Sequence, residues 1–271
     1  VCGLTLDKKM TKLLARQAGV PTPGWAFFDA ETPLPEKLPE LRYPVIVKPN
    51  FEGSSKGITQ DSIARSPERL REVLTAALAK YPAGILVEEF IVGQDVTVPF
   101  LERIGVLTPA AYRIDGAHTE PGWGIYDYAL KNEQSDRVHV ELPAPLSPEL
   151  HQKLIELTTR VMRGLEIRDL GRADFRVTPD GEIFFIEVNA RLQVEHTVTE
   201  EVSGIDLVQL QLESARGRSL AELGCAQADV PWPRGFAIQA RVNMETMAAD
   251  GTTKPSGGLL SAFHLPSGPG F

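Results

Sequence analysis

The chain has 271 residues, 42% hydrophobic and 24% charged, with a formal net charge of −8. That is ample for one large or two small globular domains with a sizeable core, and the acidic balance argues against general nucleic-acid binding while leaving room for a local basic pocket. No apolar run approaches the length needed to span a bilayer, no secretory leader is visible, and Cys2 and Cys225 match no metal or redox spacing; both read as free thiols in a reducing, cytoplasmic compartment.

The first residue is Val, and the chain stops just after Pro266-Ser267-Gly268-Pro269-Gly270, which reads as a segment of a longer protein. Residues 7–18 carry Met10, Leu13, Leu14 and Gln17 at helical spacing, with Gly19 as the stop. Val20-Pro21-Thr22-Pro23-Gly24 is an extended linker. Pro44-Val45-Ile46-Val47-Lys48-Pro49 predicts a short apolar strand with Lys48 at its end. The loop after it, Asn50-Phe51-Glu52-Gly53-Ser54-Ser55-Lys56-Gly57, has small residues whose backbone N–H groups can close round an anion. It lacks the Walker pattern, and it reads equally as a flexible surface loop beneath a surface lysine.

Ser66-Pro67-Glu68 is a strong helix start, and Leu70, Val73, Leu74, Ala77 and Leu78 give that helix a buried face. Gly84 to Ile91 predicts a second strand that runs through Gly93-Gln94-Asp95 into Val96-Thr97-Val98-Pro99-Phe100. Its carboxylates could line a purine pocket and hold a ribose, or sit solvated on an edge strand. Residues 102–146 are rich in turns and short strands; Tyr126-Asp127-Tyr128-Ala129-Leu130-Lys131 follows a glycine-bearing loop that could close over a site. Ser147-Pro148-Glu149 starts another helix, with Leu150, Leu154, Leu157, Val161 and Leu165 inside.

A hairpin comes next. Asp174-Phe175-Arg176-Val177 alternates, Pro179-Asp180-Gly181 turns, and Ile183 to Val188 is β-branched and aromatic. Residues two apart on a strand share a face, so Glu187 and Asn189 point the same way and Asp174 can join them. Two carboxylates and an amide oxygen suit magnesium carrying nucleotide phosphates; the alternative is a hairpin with polar residues on its wet face. After His196, Ser203-Gly204-Ile205-Asp206 leads a helix to Ala215 stopped by Gly217, residues 221–235 form a linker, and Phe236 to Asn243 alternates as a strand carrying Arg241.

The order of these features resembles the ATP-grasp superfamily over nearly the whole chain. The match lies in Asp7-Lys8, Val47-Lys48-Pro49, the Gly/Ser loop, Val87-Glu88-Glu89-Phe90, and Asp174, Glu187 and Asn189. The resemblance implies an α+β, ATP-grasp fold: two α+β subdomains that sandwich ATP and activate a carboxylate as an acyl phosphate. It implies a leading helix and linker over residues 1–24, a small lid subdomain over 25–93, a large subdomain with the metal site over 94–222, and the start of a biotin-carboxylase-like region over 223–271. The N-terminal domain that usually precedes these would be missing. Lys8 and Lys48 would neutralise ATP phosphates beneath a lid of Gly53, Ser54, Ser55 and Gly57. Glu88, Glu89, Phe90 and Ile91 would form the adenine hinge. Asp95, which stands where the peptide ligases carry Glu, would face the ribose. Lys131 would approach the phosphates from the closing loop, Arg172 would be a further cation, and Asp174, Glu187 and Asn189 would hold Mg2+ or Mn2+. Such parts fit phosphoryl transfer, which is mostly positioning plus charge neutralisation.

The two halves resemble different branches. Residues 7–176 look like a D-alanine–D-alanine ligase, through the Pro49 to Gly57 loop, Gly93 to Val98, Tyr126 to Lys131 and Gly171-Arg172-Ala173-Asp174-Phe175. Residues 187–271 look like a biotin carboxylase, through Glu187-Val188-Asn189-Ala190-Arg191-Leu192-Gln193-Val194-Glu195-His196, Arg241-Val242-Asn243 and Pro255-Ser256-Gly257-Gly258. The carboxylases' glycine-run lid is absent, and so is the ligases' Asn-Pro-Gly segment. The lid only handles phosphates, whereas residues beyond the metal site choose what is phosphorylated. The second half therefore weighs more. It implies that Arg191 binds bicarbonate with Gln193 and the Val194 backbone, that Glu195 is the general base, and that Arg241 stabilises the biotin enolate. The fixed fork of an arginine suits a small anion, and a base belongs beside it; the same four also read as a surface salt-bridge cluster. Biotin is the expected acceptor and a biotinyl carrier domain the expected partner, with the parent a homodimer. A carboxylate–amine ligase and an inactive nucleotide-binding module are the rivals.

Overall fold

The computed structural model describes residues 2–53, 55–102, 104–115, 137–168, 170–193, 196–226, 228–240, 245–247 and 253–255, with Leu259, Ala262 and His264. The chain divides into two compact units, residues 1–192 and 193–271.

The first unit opens with helices α1 (Cys2–Leu6) and α2 (Lys8–Gln17). Four strands then build an antiparallel sheet: β1 (Trp25–Phe28), β2 (Val45–Pro49), β3 (Ile63–Ala64) and β4 (Ile85–Glu89), in the order β1-β4-β2-β3. Helix α3 (Pro67–Lys80) lies between β3 and β4 in the chain. It starts where the capping pattern places it, with the Ser66 hydroxyl accepting from the Arg69 N–H at 3.3 Å. Its Leu70, Leu74 and Leu78 pack on Val45, Val47, Ile85 and Val87, one face of the sheet. The other face carries Ile46, Lys48, Leu86 and Glu88, because side chains alternate along each strand.

The second sheet is also antiparallel. Its strands are β5 (Gln94–Leu101), β6 (Gly105–Val106), β7 (Ala110–Ile114), β8 (Val138–Glu141), β9 (Leu170–Val177) and β10 (Ile183–Asn189). They run in the order β10-β9-β5-β7-β8, with β6 against β5. Helix α4 (Pro148–Gly164), capped by Ser147, buries Leu154, Leu157 and Val161 against Val96, Val98, Ala173, Phe175 and Phe185. Fully burying each such leucine contributes roughly 1.5–3 kcal/mol. Helix α2 adds Ala15 to the same core.

Two expectations are corrected, and one strand was not anticipated. Helix α2 does not bury the residues spaced helically by apolarity: Leu13 is exposed and Gln17 is too, while Lys8, Thr11, Lys12 and Ala15 form the buried stripe. Along that face Lys8 and Lys12 meet a charged cluster while Ala15 joins the core, so polarity and burial part company. Strand β1 follows directly on the linker; Trp25-Ala26-Phe27-Phe28 lacks alternation, and pairing with β4 alone makes it a strand. The strand expected over 236–243 has no regular structure across Phe236–Ala240. Phe236 and Ile238 stay exposed, so their alternation finds no sheet to lie on among the described residues; Arg241 to Asn243 lie outside the described residues.

The second unit contains helix α5 (His196–Ser203), helix α6 (Leu207–Ala215) and a short ribbon of β11 (Glu245–Met247) with β12 (Thr253–Pro255). Asp206 caps α6 by accepting from the Gln209 N–H at 2.7 Å, and Gly217 ends it at φ +94°. Cys225 is a free thiol. Among the described residues no helix is long and apolar enough to cross a membrane.

Candidate functional site

The hairpin of β9 and β10 sets two rows of side chains. The register skips one residue between Phe185 and Glu187, so Phe185 faces Phe175 while Glu187 faces Asp174. This bulge turns Glu187 onto the same face as Asp174; straight pairing from Phe185 would set it opposite Ala173, in the core. The neighbouring β5 pairs Thr97 with Asp174 and Pro99 with Arg172. One row therefore reads Thr97, Asp174, Glu187, and the next Pro99, Arg172, Asn189.

Asp174 is held from two sides. The Thr97 hydroxyl donates to Oδ1 at 2.7 Å, and Arg172 donates from Nε to Oδ1 at 2.9 Å and from Nη2 to Oδ2 at 2.8 Å. Burial pushes the Asp174 carboxyl above its ordinary range, and the Glu187 carboxylate adds to this, against the pull of Arg172 and Thr97. Arg172 remains cationic: burial alone would lower it, but Asp174 holds it up. The Asp174 and Glu187 carboxylates share one row, with the amide of Asn189 in the next. That donor set suits a hard divalent cation, so Asp174, Glu187 and Asn189 fit magnesium. Among the described residues no three His, Cys, Asp or Glu side chains gather as a metal cluster; the set here is two carboxylates and an amide.

A second charged cluster sits between the two sheets. Glu88 is 1% exposed and pairs through Oε1 with Lys12 and through Oε2 with Lys48. Lys12 is 0% exposed and also donates to the Phe185 carbonyl at 3.3 Å. Lys8, one helical turn earlier, donates to the carbonyls of Asn50, at 3.3 Å, and Glu52. The start of α2 is strapped to this loop, since Asn50 donates to Asp7 at 2.8 Å and accepts from the Lys9 N–H at 2.9 Å. Burial would raise the Glu88 carboxyl, but Lys12 and Lys48 outweigh it and hold it below its ordinary value. Burial pushes Lys12 down to about 8 despite Glu88. Lys8 is lowered by burial too, against the pull of Glu187.

The loop between Gly53 and Gly57 is shaped by left-handed backbone. Ser55 has φ +58° and Gly57 φ +74°, and a Cβ at Gly57 would meet the Tyr81 ring at 2.8 Å and Pro49 at 2.9 Å. A Cβ at Gly53 would lie 3.9 Å from Arg191 Nη2, so the structure brings that arginine to the loop. Arg191 also donates to the Leu192 carbonyl at 3.3 Å.

At the hinge the side chains serve the fold. Glu88 faces the lysines, and Glu89 on the opposite face accepts from the Arg42 N–H at 2.9 Å. The backbone N–H groups of Glu89 and Phe90 donate to Gly24 and Pro44 at 2.8 and 2.9 Å, and Ile91 is buried. Asp95 lies 3.5 Å from Arg176 Nε, and Arg176 stacks 4.9 Å from the Phe90 ring centroid while donating to the Gly93 carbonyl at 2.7 Å. Backbone closely approaches backbone at Gly93, where a Cβ would stand 2.3 Å from the Val177 carbonyl oxygen.

Lys8, Lys48, Glu88, Asp174, Glu187, Asn189 and Arg172 thus gather in the first unit, with Arg191 near Gly53. Gln193 opens the second unit, where its carbonyl accepts from His196. Ser54, Lys131, Val194, Glu195 and Arg241 lie outside the described residues. Lys12, Thr97 and Arg176 are additions. Lys12 stands one turn from Lys8 on the same face, a signal available in the sequence; Thr97 and Arg176 alternate with core residues but nothing local marks their partners.

Two α+β sheets, each with its own helix, and a charged cleft residue set on antiparallel strands define the ATP-grasp fold. Solved structures carry the likeness. D-alanine–D-alanine ligase from Bacillus anthracis complexed with ATP aligns at TM-score 0.55 and 21% identity, covering 69% of this chain and 55% of that one. VanG D-Ala:D-Ser ligase from Enterococcus faecalis aligns at TM-score 0.53 and 24% identity, covering 69% and 52%. The chain belongs to the family described as D-ala D-ala ligase C-terminus, whose sequence model matches residues 14–191. Its relatives are ATP-grasp ligases of two kinds. Pyruvate carboxylase 1 of Caenorhabditis elegans is 33% identical over 84% of this chain and 18% of its own length. Human mitochondrial pyruvate carboxylase is 32% identical over 97% and 22%. D-alanine–D-alanine ligase of Aquifex aeolicus is 34% identical over 69% and 58%. The chain therefore spans about a fifth of the length of the pyruvate carboxylases it matches.

Proposed function

We propose that this chain is the nucleotide-binding core of a biotin carboxylase-type ATP-grasp ligase, which transfers the γ-phosphoryl of ATP to bicarbonate and passes the carboxyl group to biotin. The observation that carries this reading is where the likenesses stop. The ligase family match ends at residue 191, just past Asn189, whereas alignment with human pyruvate carboxylase extends over 97% of the chain. Gln193, Val194, Glu195 and Arg241, which this reading assigns to the substrate, lie beyond that family match, while the carboxylase alignment covers nearly the whole chain.

In this reading Lys8 and Lys48 bind the phosphates, the loop from Gly53 to Gly57 covers them, and the backbone from Glu88 to Ile91 holds the adenine. Asp95 faces the ribose. Asp174, Glu187 and Asn189 hold the metal, which when bound neutralises phosphate oxygens. Arg172 and Lys131 add positive charge where negative charge develops on the transferring group. Arg191, Gln193 and the Val194 backbone orient bicarbonate, and Glu195 takes its proton as the oxygen attacks phosphorus. Arg241 stabilises the biotin enolate. The subdomain limits at 24, 93 and 222, the cytoplasmic location, the biotinyl carrier partner and the dimeric parent belong to the same proposal.

The test is ADP release by the full-length parent protein. Stimulation by bicarbonate with free biotin is the expected result. Stimulation by amino acids only, D-alanine among them, would overturn it in favour of a carboxylate–amine ligase, the reading that the family match over residues 14–191 favours. ATP binding without turnover on any substrate would leave a nucleotide-binding module.

A further inference from the structure

We infer that Lys12 is a positioning residue for nucleotide binding: by holding one oxygen of Glu88, it leaves Lys48 available to phosphate. The inference rests on the nucleotide reading above and assigns a role to a residue outside it.

Lys12 has no surface of its own, being 0% exposed. Its ammonium is fixed between Glu88 and the Phe185 carbonyl, 5.9 Å from the Phe185 ring centroid. It therefore has no path to a ligand. Lys48 differs: its side chain keeps 7% exposure, and it reaches Glu88 through the other carboxylate oxygen. Lys8 feels the charge of Lys48, which places the two ammonium groups in one field.

Charges couple strongly where water is excluded. A buried Glu88 with Lys48 as sole partner would turn both oxygens to it and engage the donors that a phosphate needs. With Lys12 holding Oε1, the Glu88 charge is shared, the carboxylate is fixed in one orientation, and the remaining N–H donors of Lys48 stay open to an anion. Lys12 also ties α2 to both sheets, through Glu88 on β4 and the Phe185 carbonyl on β10, two residues before Glu187.

The role predicts a pattern that a merely structural lysine would not give. Isothermal titration with Mg-AMP-PNP compares the whole chain with K12M, E88Q and the double variant K12M/E88Q. K12M is expected to bind roughly tenfold more weakly than wild type, and the double variant to match E88Q within about threefold, because Lys12 acts only through the charge of Glu88. Equal affinity of K12M and wild type would overturn the role. A tenfold gap between the double variant and E88Q would overturn it as well, since Lys12 would then act by shape. Should K12M fail to fold, K12Q, which keeps a neutral donor in the same space, takes its place in both comparisons with the same outcomes. Absence of Mg-AMP-PNP binding by wild type would overturn the nucleotide reading itself, whereas wild-type binding with K12M unchanged removes only Lys12.

Discussion

Two charged clusters share the first unit, and they are mirror images in sign. Between the sheets, Lys12 and Lys48 meet Glu88, with Lys8 close by. On the second sheet, Asp174 and Glu187 stand opposite one another with Arg172 bound to the first. One cluster is richer in cations and the other in anions, and the Glu187 carboxylate already lies in the field of Lys8. We read the two clusters as one site because a polyphosphate chelated to a divalent metal would bring charge of both signs to it.

The largest expected effect comes from breaking the anionic cluster. Glu187→Ala should weaken Mg-ATP binding by roughly tenfold to a hundredfold and flatten its dependence on magnesium concentration. Titration of magnesium at fixed nucleotide checks this, and an unchanged metal dependence would remove Glu187 from the metal set.

A smaller effect should separate the clusters by pH. Glu88 is held below its ordinary 4.5 in the folded chain by Lys12 and Lys48, against burial. A depressed carboxyl contributes stability that is fully present above the unfolded value and is lost as pH falls through the folded one. Stability should therefore fall on acidification below about pH 4.5, and E88Q should shallow that slope. Denaturant midpoints between pH 3 and 7 would show it. Asp174 is shifted the other way, so it does not supply this acid limb.

The smallest effect sets the scale for buried charge. Lys37 and Glu40 form a pair at 2.8 Å with side chains 82% and 85% exposed. Lys37→Ala should change stability by less than about 0.5 kcal/mol, because such pairs compete with water and salt. A larger loss in thermal unfolding would undo the contrast between surface and buried pairs on which the clusters are read.

Local chemistry was legible in the sequence where it was written in neighbours. The Ser-Pro-Glu starts at Ser66 and Ser147, the stops at Gly19 and Gly217, and the hairpin around Gly181 all follow from a few adjacent residues. What could not be read depends on partners distant in the chain. The polar buried stripe of α2 exists because Glu88 and the loop after Lys48 come to meet it. The alternation from Phe236 to Ala240 promised a strand, but alternation marks a face and does not supply the neighbour that hides it. Glu88 read as part of an adenine hinge; its side chain is spent on lysines. Helix α5, with none of its residues fully buried, left no apolar stripe to detect.

The skipped residue between Phe185 and Glu187 changes what the hairpin can tolerate. Before it, the inward side chains are Ile183 and Phe185; after it, Val188. The strand is thus two lengths of opposite phase joined at Ile186. Each length can be rewritten under its own alternation: the earlier one answers to the packing of the core, the later one to chemistry. A different polar–apolar–polar ending grafted from Glu187 onward would leave Ile183 and Phe185 seated as before. The strand works as a coupling: the length before Ile186 can be repacked while the row that carries Glu187 and Asn189 keeps its face.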